Sequence, residues 1–249
     1  MSPNKAVLTP QEHDDLELTA LVRHRLEEQF ENIDQQQEVA RLGMWIFLAT
    51  EVMFFGTLFV SLGVYRYLYP EAFEKASEQL NWIIGGINTV VLLVSSLFMV
   101  LAVHAAKVGQ QKQLVRYLCL TVLLGLVFLC FKGLEYYIDY QENLIPGWKF
   151  DENEWVVEHG LQPNQVAHVK LFLLFYWIMT GLHALHVTIG ICAVAGIALL
   201  ARKGYFSPEY YSPVDVTGLY WHFVDTVWIF LLPMLYLLGT HTAADVHLF

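Results

Sequence analysis

Residues 168–200 read HVKLFLLFYWIMTGLHALHVTIGICAVAGIALL, a run with one lysine and no arginine, aspartate or glutamate. An α-helix rises 1.5 Å per residue, so about 20 apolar residues cross the roughly 30 Å hydrocarbon core of a bilayer. This run is longer than that, and its outer end is expected to tilt or project. Working outward, four more segments of the same character occupy 42–69, 82–106, 114–138 and 216–240. They lack the alternation of barrel strands, and in lipid only a helix or a closed barrel satisfies every backbone group. The 249-residue chain is 56% hydrophobic with a mean hydropathy of +0.44, too apolar for a soluble domain of that length. The fold class that follows is all-α, a polytopic membrane bundle of five transmembrane helices.

Residues 1–40 are polar, 41–240 hold the five spans, and 241–249 form a short tail. Within the first part, 11–38 has an amphipathic helical pattern, with Leu16, Leu18, Leu21, Val22, Leu26, Phe30 and Ile33 set among charges. Such a helix suits a membrane surface or a partner subunit. The segment lacks the apolar core and small-residue cleavage site of a secretory signal. Orientation comes from the basic residues of the flanks. On one side stand Lys5, Arg23, Arg25, Arg41, Lys107, Lys112, Arg116, Arg202 and Lys203, nine in all, against Arg66, Lys75, Lys149 and Lys170, four, on the other. That bias puts the N-terminus in the cytoplasm and the C-terminus outside; the membrane itself is expected to be a bacterial cytoplasmic (inner) membrane.

The excess of 24 acidic over 14 basic residues excludes nucleic acid as a partner class. The long outer loop at 139–167 holds Asp139, Glu142, Asp151, Glu152, Glu154 and Glu158. It offers a surface to a basic cytochrome c or a cytochrome-bearing supercomplex, although a solvated acidic loop accounts for it more simply. Cys119, Cys130 and Cys192 fall inside apolar runs and read as small buried hydrophobes, with neither a disulfide framework nor a thiolate metal site.

Polar groups inside the spans are expensive, about 2.5–3.5 kcal/mol for a charge at the bilayer centre, so each is a candidate site. Glu51 lies about ten residues, or roughly 15 Å, from the cytoplasmic end of the first span. His183 and His186 share a face of the fourth span, His222 and Asp225 a face of the fifth, each at i, i+3. Lys132 and Glu135 form a third such pair, read most simply as an intrahelical ion pair facing other protein. His-x-x-His resembles metal-ligand spacing, but a di-metal bundle wants a Glu-x-x-His on each of two helices, and that pattern is absent. Hydrogen bonds between helices are the expected use of Glu51, His183, His186, His222 and Asp225, tying the bundle together. No phosphate-cradling glycine loop, nucleophile elbow or copper-binding cysteine pair occurs, so no catalytic centre is expected in this chain.

At these same residues the sequence resembles the subunit III family of haem-copper oxidases. The segment Tyr220-Trp-His-Phe-Val-Asp-Thr-Val-Trp-Ile-Phe-Leu231 is close to that family's most distinctive element. Thr180-Gly-Leu-His-Ala-Leu-His-Val-Thr-Ile-Gly190 matches its Gly-x-His-x-x-His-Val pattern, and Trp45-Ile-Phe-Leu-Ala-Thr-Glu-Val-Met-Phe-Phe55 its Ser/Thr-Glu-x-Met-Phe-Phe element. Asn88-Thr89 with Ser95-Ser96 and His104, and Gly133-Leu-Glu-Tyr136, resemble two further family helices. The likeness runs from about residue 40 to 240. It departs from the pattern in having five spans where longer members have seven, and in Lys132, where a glutamine often stands.

What the resemblance implies is a non-redox subunit of a respiratory oxidase of the cytochrome c type. It packs on catalytic subunit I, alongside subunit II, binds phospholipid, and supports proton uptake and sustained turnover. Haem and copper would sit in the partner subunits and none in this chain, and Glu51 matches the family's carbodiimide-reactive glutamate. The alternatives are the equivalent subunit of a quinol oxidase or nitric oxide reductase and, from another class, a proton-coupled transporter. A transporter would favour inverted repeats or spans broken by Gly or Pro in matching positions, which this sequence lacks.

Overall fold

The computed structural model describes residues 30, 32–146, 150, 152–157 and 162–237. The expected amphipathic helix at 11–38 lies, apart from its last residues, outside them, as does the tail at 241–249. Among the described residues the chain forms seven helices: α1 (Ile33–Leu68), α2 (Pro70–Glu78), α3 (Trp82–Lys107), α4 (Gln111–Gln141), α5 (Glu152–Val157), α6 (Pro163–Arg202) and α7 (Ser212–Leu235). Five of them, α1, α3, α4, α6 and α7, are long and apolar enough to cross a membrane. These are the five expected spans, most of them longer than the apolar runs that announced them.

Local chemistry explains the ends. Asn32 caps α1 by accepting from the Gln35 amide at 2.8 Å, and Asn81 caps α3 by accepting from Ile83 and Ile84. Proline opens α2 and α6, where the missing N–H has no partner to lose. Three helices stop in the same left-handed turn, with Gly109 (φ 75°) after α3, Gly204 (φ 74°) after α6 and Asn143 (φ 56°) after α4. In each the following amide reaches back over the last turn: Gln110 to Ala105, Tyr205 to Leu200, Leu144 to Asp139.

The core is a set of stripes at helical spacing. α4 buries Leu114, Leu118, Thr121, Gly125, Phe128, Lys132, Glu135 and Asp139, alternating steps of three and four residues. α3 buries Gly85, Asn88, Leu92, Ser95, Met99 and Ala102 in the same rhythm, which keeps one face of each helix on its neighbours. Small residues bring the helices together. A Cβ on Gly125 would stand 2.8 Å from Trp221 Cη2, and one on Gly190 would stand 3.0 Å from the same ring. α1 differs. It buries only Leu48, Phe55 and Leu62, spaced seven residues apart, and leaves Ile46, Val52, Met53 and Val60 uncovered. It therefore meets the bundle along one narrow seam, and most of its apolar circumference faces outward.

Two expectations are corrected. Cys119, Cys130 and Cys192 are exposed on the outside of the bundle, because each falls off its helix's buried stripe. Asp139 does not belong to a solvated loop: α4 continues to Gln141, and Asp139 is buried on the same stripe as Lys132 and Glu135.

Candidate functional site

Polar side chains occupy three levels between the helices. At the end that carries the start of α7, Asp215 receives Arg41 of α1 at 2.9 Å and Lys107 of α3 at 3.7 Å. Nearby, Gln37 donates to the Glu209 carbonyl at 2.7 Å, and Gln111 donates to the Ala201 carbonyl. These ties join α1, α3, α4, α6 and α7 at one edge. Both cations are half exposed, so each ion pair contributes at most about 1 kcal/mol.

At the middle level the four residues expected to form one cluster are divided. His186 Nε2 of α6 meets Glu51 Oε2 of α1 at 3.2 Å, while its Nδ1 lies 2.8 Å from the Leu182 carbonyl. A carbonyl only accepts, so Nδ1 carries a proton and donates it. The contact with Glu51 then needs one further proton, held by the carboxyl or by an imidazolium, and in either arrangement the pair is neutral overall. Tyr220 adds a hydrogen bond to the His186 carbonyl at 3.1 Å. His222 turns to α3, where its Nδ1 lies 2.7 Å from the Ser96 hydroxyl. His183 is shut between Phe128 and Trp228, ring centroids 5.6 and 5.1 Å away, and Asp225 is buried on α7. Neither His183 nor Asp225 has a hydrogen-bonding side-chain partner. The expected cluster is thus two pairs and two separate groups: each i, i+3 pair shares a broad face, but that face looks onto more than one helix, His183 onto α4 and α7, His186 onto α1 and His222 onto α3. Among the described residues no group of three or more His, Cys, Asp or Glu is placed to hold a metal ion.

The third level, toward the opposite end, is the most completely bonded. Lys132 is 2% exposed and donates to Glu135 Oε2 at 3.0 Å and to the Tyr236 hydroxyl at 2.8 Å. Tyr236 in turn donates to Glu135 Oε1 at 2.5 Å. The Tyr176 hydroxyl lies 3.0 Å from Glu135 Oε1 and 2.7 Å from Asp139 Oδ2, so its single proton stands between two carboxyl groups. Rings of Tyr136, Tyr176, Trp228 and Tyr236 surround the Lys132 ammonium at 4.9 to 5.5 Å. Aromatic faces and two tyrosine hydroxyls replace the water that the cation and carboxyls would otherwise keep. Sequence reasoning found Lys132 and Glu135 but missed Asp139, Tyr176 and Tyr236. Asp139 was legible, since 132, 135 and 139 continue one helical stripe. The tyrosines come from other helices and carry no such signal.

α1 is fastened to this arrangement at its far end. Tyr69, which follows it, stacks on His168 of α6 at 3.5 Å and 11°, and Gln165 donates to Glu71 at 2.7 Å.

Comparison with known proteins adds the following. The family profile described as cytochrome c oxidase subunit III matches residues 165–240, which take in α6 from Gln165 onward and the whole of α7. A quinol oxidase subunit 3 of Bacillus subtilis is 32% identical over 216 residues, covering 83% of this chain and 92% of its own length. A cytochrome c oxidase subunit 3 of Synechocystis is 28% identical over 202 residues, 81% of this chain and 76% of its own. A probable cytochrome c oxidase subunit 3 of Rickettsia bellii is 30% identical over 217 residues, 80% of this chain and 69% of its own.

Proposed function

The chain belongs to the subunit III family of haem-copper oxidases, and from that membership we propose that it is the non-redox third subunit of a respiratory oxidase. In this reading it packs on catalytic subunit I, holds phospholipid against α1, and supports proton uptake and sustained turnover while the haem- and copper-bearing subunits reduce oxygen to water. The observation that carries the reading is the use made of the intramembrane histidines. His186 is engaged by Glu51 and Leu182, His222 by Ser96, and His183 is enclosed by Phe128 and Trp228. Both nitrogens of His186 and Nδ1 of His222 are met by the chain's own groups, and His183 is walled in by aromatic rings, which supports a structural use of these side chains. The uncovered flank of α1 supports the partner role, since an apolar surface of that extent suits lipid or another subunit's helices.

The basic residues of the flanks support an orientation with the Asp215 end in the cytoplasm of a bacterium and the Tyr69 end outside. A second reading of the electron donor, quinol in place of cytochrome c, is favoured by the match to the Bacillus subtilis quinol oxidase subunit. It leaves the role of this chain unchanged.

The test is purification of the tagged chain from its native membrane in mild detergent. Recovery with a haem-bearing polytopic subunit supports the reading, and oxidation assays with reduced cytochrome c and with quinol then separate the two donors. Recovery of the chain alone, active in proton-coupled transport in vesicles, would overturn it.

A further inference from the structure

Four buried polar side chains on the core stripes have no hydrogen bond among the described residues: Asn88 on α3, His183 on α6, and Trp221 and Asp225 on α7. The atoms concerned are Asn88 Nδ2 and Oδ1, both ring nitrogens of His183, Trp221 Nε1 and both oxygens of Asp225. The neighbouring polar groups are otherwise committed. Thr89 accepts from Trp228 Nε1 at 3.0 Å, and the Ser96 hydroxyl, which lies 2.7 Å from His222 Nδ1, is the one polar side chain that also bears on Asp225 and can satisfy at most one of its two oxygens. Each orphaned group costs about 1–3 kcal/mol if left dry, more for a charged one, and native interiors rarely leave so many together.

The four groups also lie along one stretch of the interior. His183 packs on the Trp228 ring, and the same indole bonds Thr89, the residue after Asn88. Asp225 and Trp221 precede Trp228 on the buried face of α7, and three to seven residues correspond to about 5–10 Å of helix. The carbon edge of Trp221 fills the cradle made by Gly125 and Gly190, which turns Nε1 away from that cradle. Trp228 reaches the third level as well, with Lys132 Nζ 5.3 Å from its ring.

We propose that these atoms are the protein side of an internal water site, an ordered file between α3, α6 and α7 that extends from Trp221 to the edge of the Lys132 network. The ligand must both donate and accept, because the set mixes obligate donors, Trp221 Nε1 and the Asn88 amide, with the acceptors of Asn88, His183 and Asp225. A metal ion would face those N–H groups, and an anion would face the Asp225 carboxyl. A lipid chain would satisfy none of them. Water fits all of them, and at about three hydrogen bonds per buried molecule the orphaned atoms call for about two or three waters. The site lies wholly inside this chain, so it does not depend on which complex the chain joins.

The test is a density map of the intact complex, at a resolution that shows ordered water, together with X-ray radiolytic labelling in ¹⁸O water. Waters within about 2.7–3.2 Å of Asn88, His183 and Asp225 are expected. Labelling is expected at Trp221 and His183 and not at the equally buried Phe128. In Asn88→Leu with Asp225→Leu, which removes the polar lining, the label at His183 should be lost. The proposal is overturned if the map shows the four side chains bonded directly to one another, or an empty or absent cavity. It is equally overturned if Trp221 and His183 stay unlabelled in the wild-type complex. Should the double variant fail to assemble, the wild-type map and labelling decide alone.

Discussion

Lys132 and Tyr236 are 104 residues apart in the chain and 2.8 Å apart in space, ammonium to hydroxyl. The contact ties the middle of α4 to the end of α7 across the bundle core, and Glu135 closes it into a triangle by accepting from both. A buried cation depends on the few groups that surround it, so the loss of either partner is felt by the other.

Lys132→Ala should therefore cost about 3–5 kcal/mol, the range for breaking a buried ion pair from one side. Lys132→Ala combined with Glu135→Ala should cost less than the lysine change alone, because no carboxylate is then left facing an empty ammonium site. Thermal unfolding of the purified complex reads both. A larger loss in the double variant than in Lys132→Ala alone, as independent changes would add, would show that the pair is not coupled in this way.

Glu51 should be the carboxyl that a hydrophobic carbodiimide modifies. Its side chain is 19% exposed, whereas Glu135 and Asp225 are 2% and 3% exposed. A reagent dissolved in lipid reaches the first and is shut out from the others. Glu51→Gln should abolish labelling and leave initial oxygen consumption largely intact. Peptide mapping that finds the adduct on Asp225 or Glu135 would refute the assignment.

His186→Ala removes the contact that fastens α1 to α6 near mid-membrane. Interhelical hydrogen bonds in membranes average about 0.6 kcal/mol and reach roughly 1.7, so the bundle should loosen without failing to assemble. The complex should keep its haem spectrum and first-minute turnover, lose this subunit sooner in detergent, and decline faster in sustained turnover. Loss of haem or copper on this substitution would instead make His186 a ligand or catalytic group.

Gly125→Ala places a methyl carbon 2.8 Å from Trp221 and 2.9 Å from Ile191, and should cost about 1–3 kcal/mol through overpacking. Gly56→Ala on the open side of α1 meets nothing within 4 Å and should be neutral, or stabilising by less than about 1 kcal/mol. Melting temperatures of the two variants, measured side by side, check the difference. Equal effects would mean that the glycine cradle does not limit the approach of α4 to Trp221.

An alkaline phosphatase fused after Phe249 should be active in a bacterial host, as the distribution of basic residues requires. Activity of a cytoplasmic reporter fused at the same point would reverse the orientation.

The number of spans, their helical nature and the level of most polar groups follow from the order of residues along the chain. Apolar length and the demand of lipid for internally satisfied backbone leave few other solutions for runs such as 168–200. The helix ends at Gly109, Gly204 and Asn143 are local too, since each takes a left-handed conformation that few other residues adopt. Even Asp139 stood on a stripe visible in the sequence, though its charge made it read as loop. Which polar groups meet follows instead from how the helices pack. His186 turns to Glu51 and His222 to Ser96, while Tyr176 and Tyr236 close on Glu135 from helices far along the chain. Spacing along one helix places a side chain on a face but says nothing about the rotation and depth of the helix opposite. Those are set by close packing over the whole interface, at positions such as Gly125 and Gly190 against Trp221, so the choice of partner belongs to the assembled bundle.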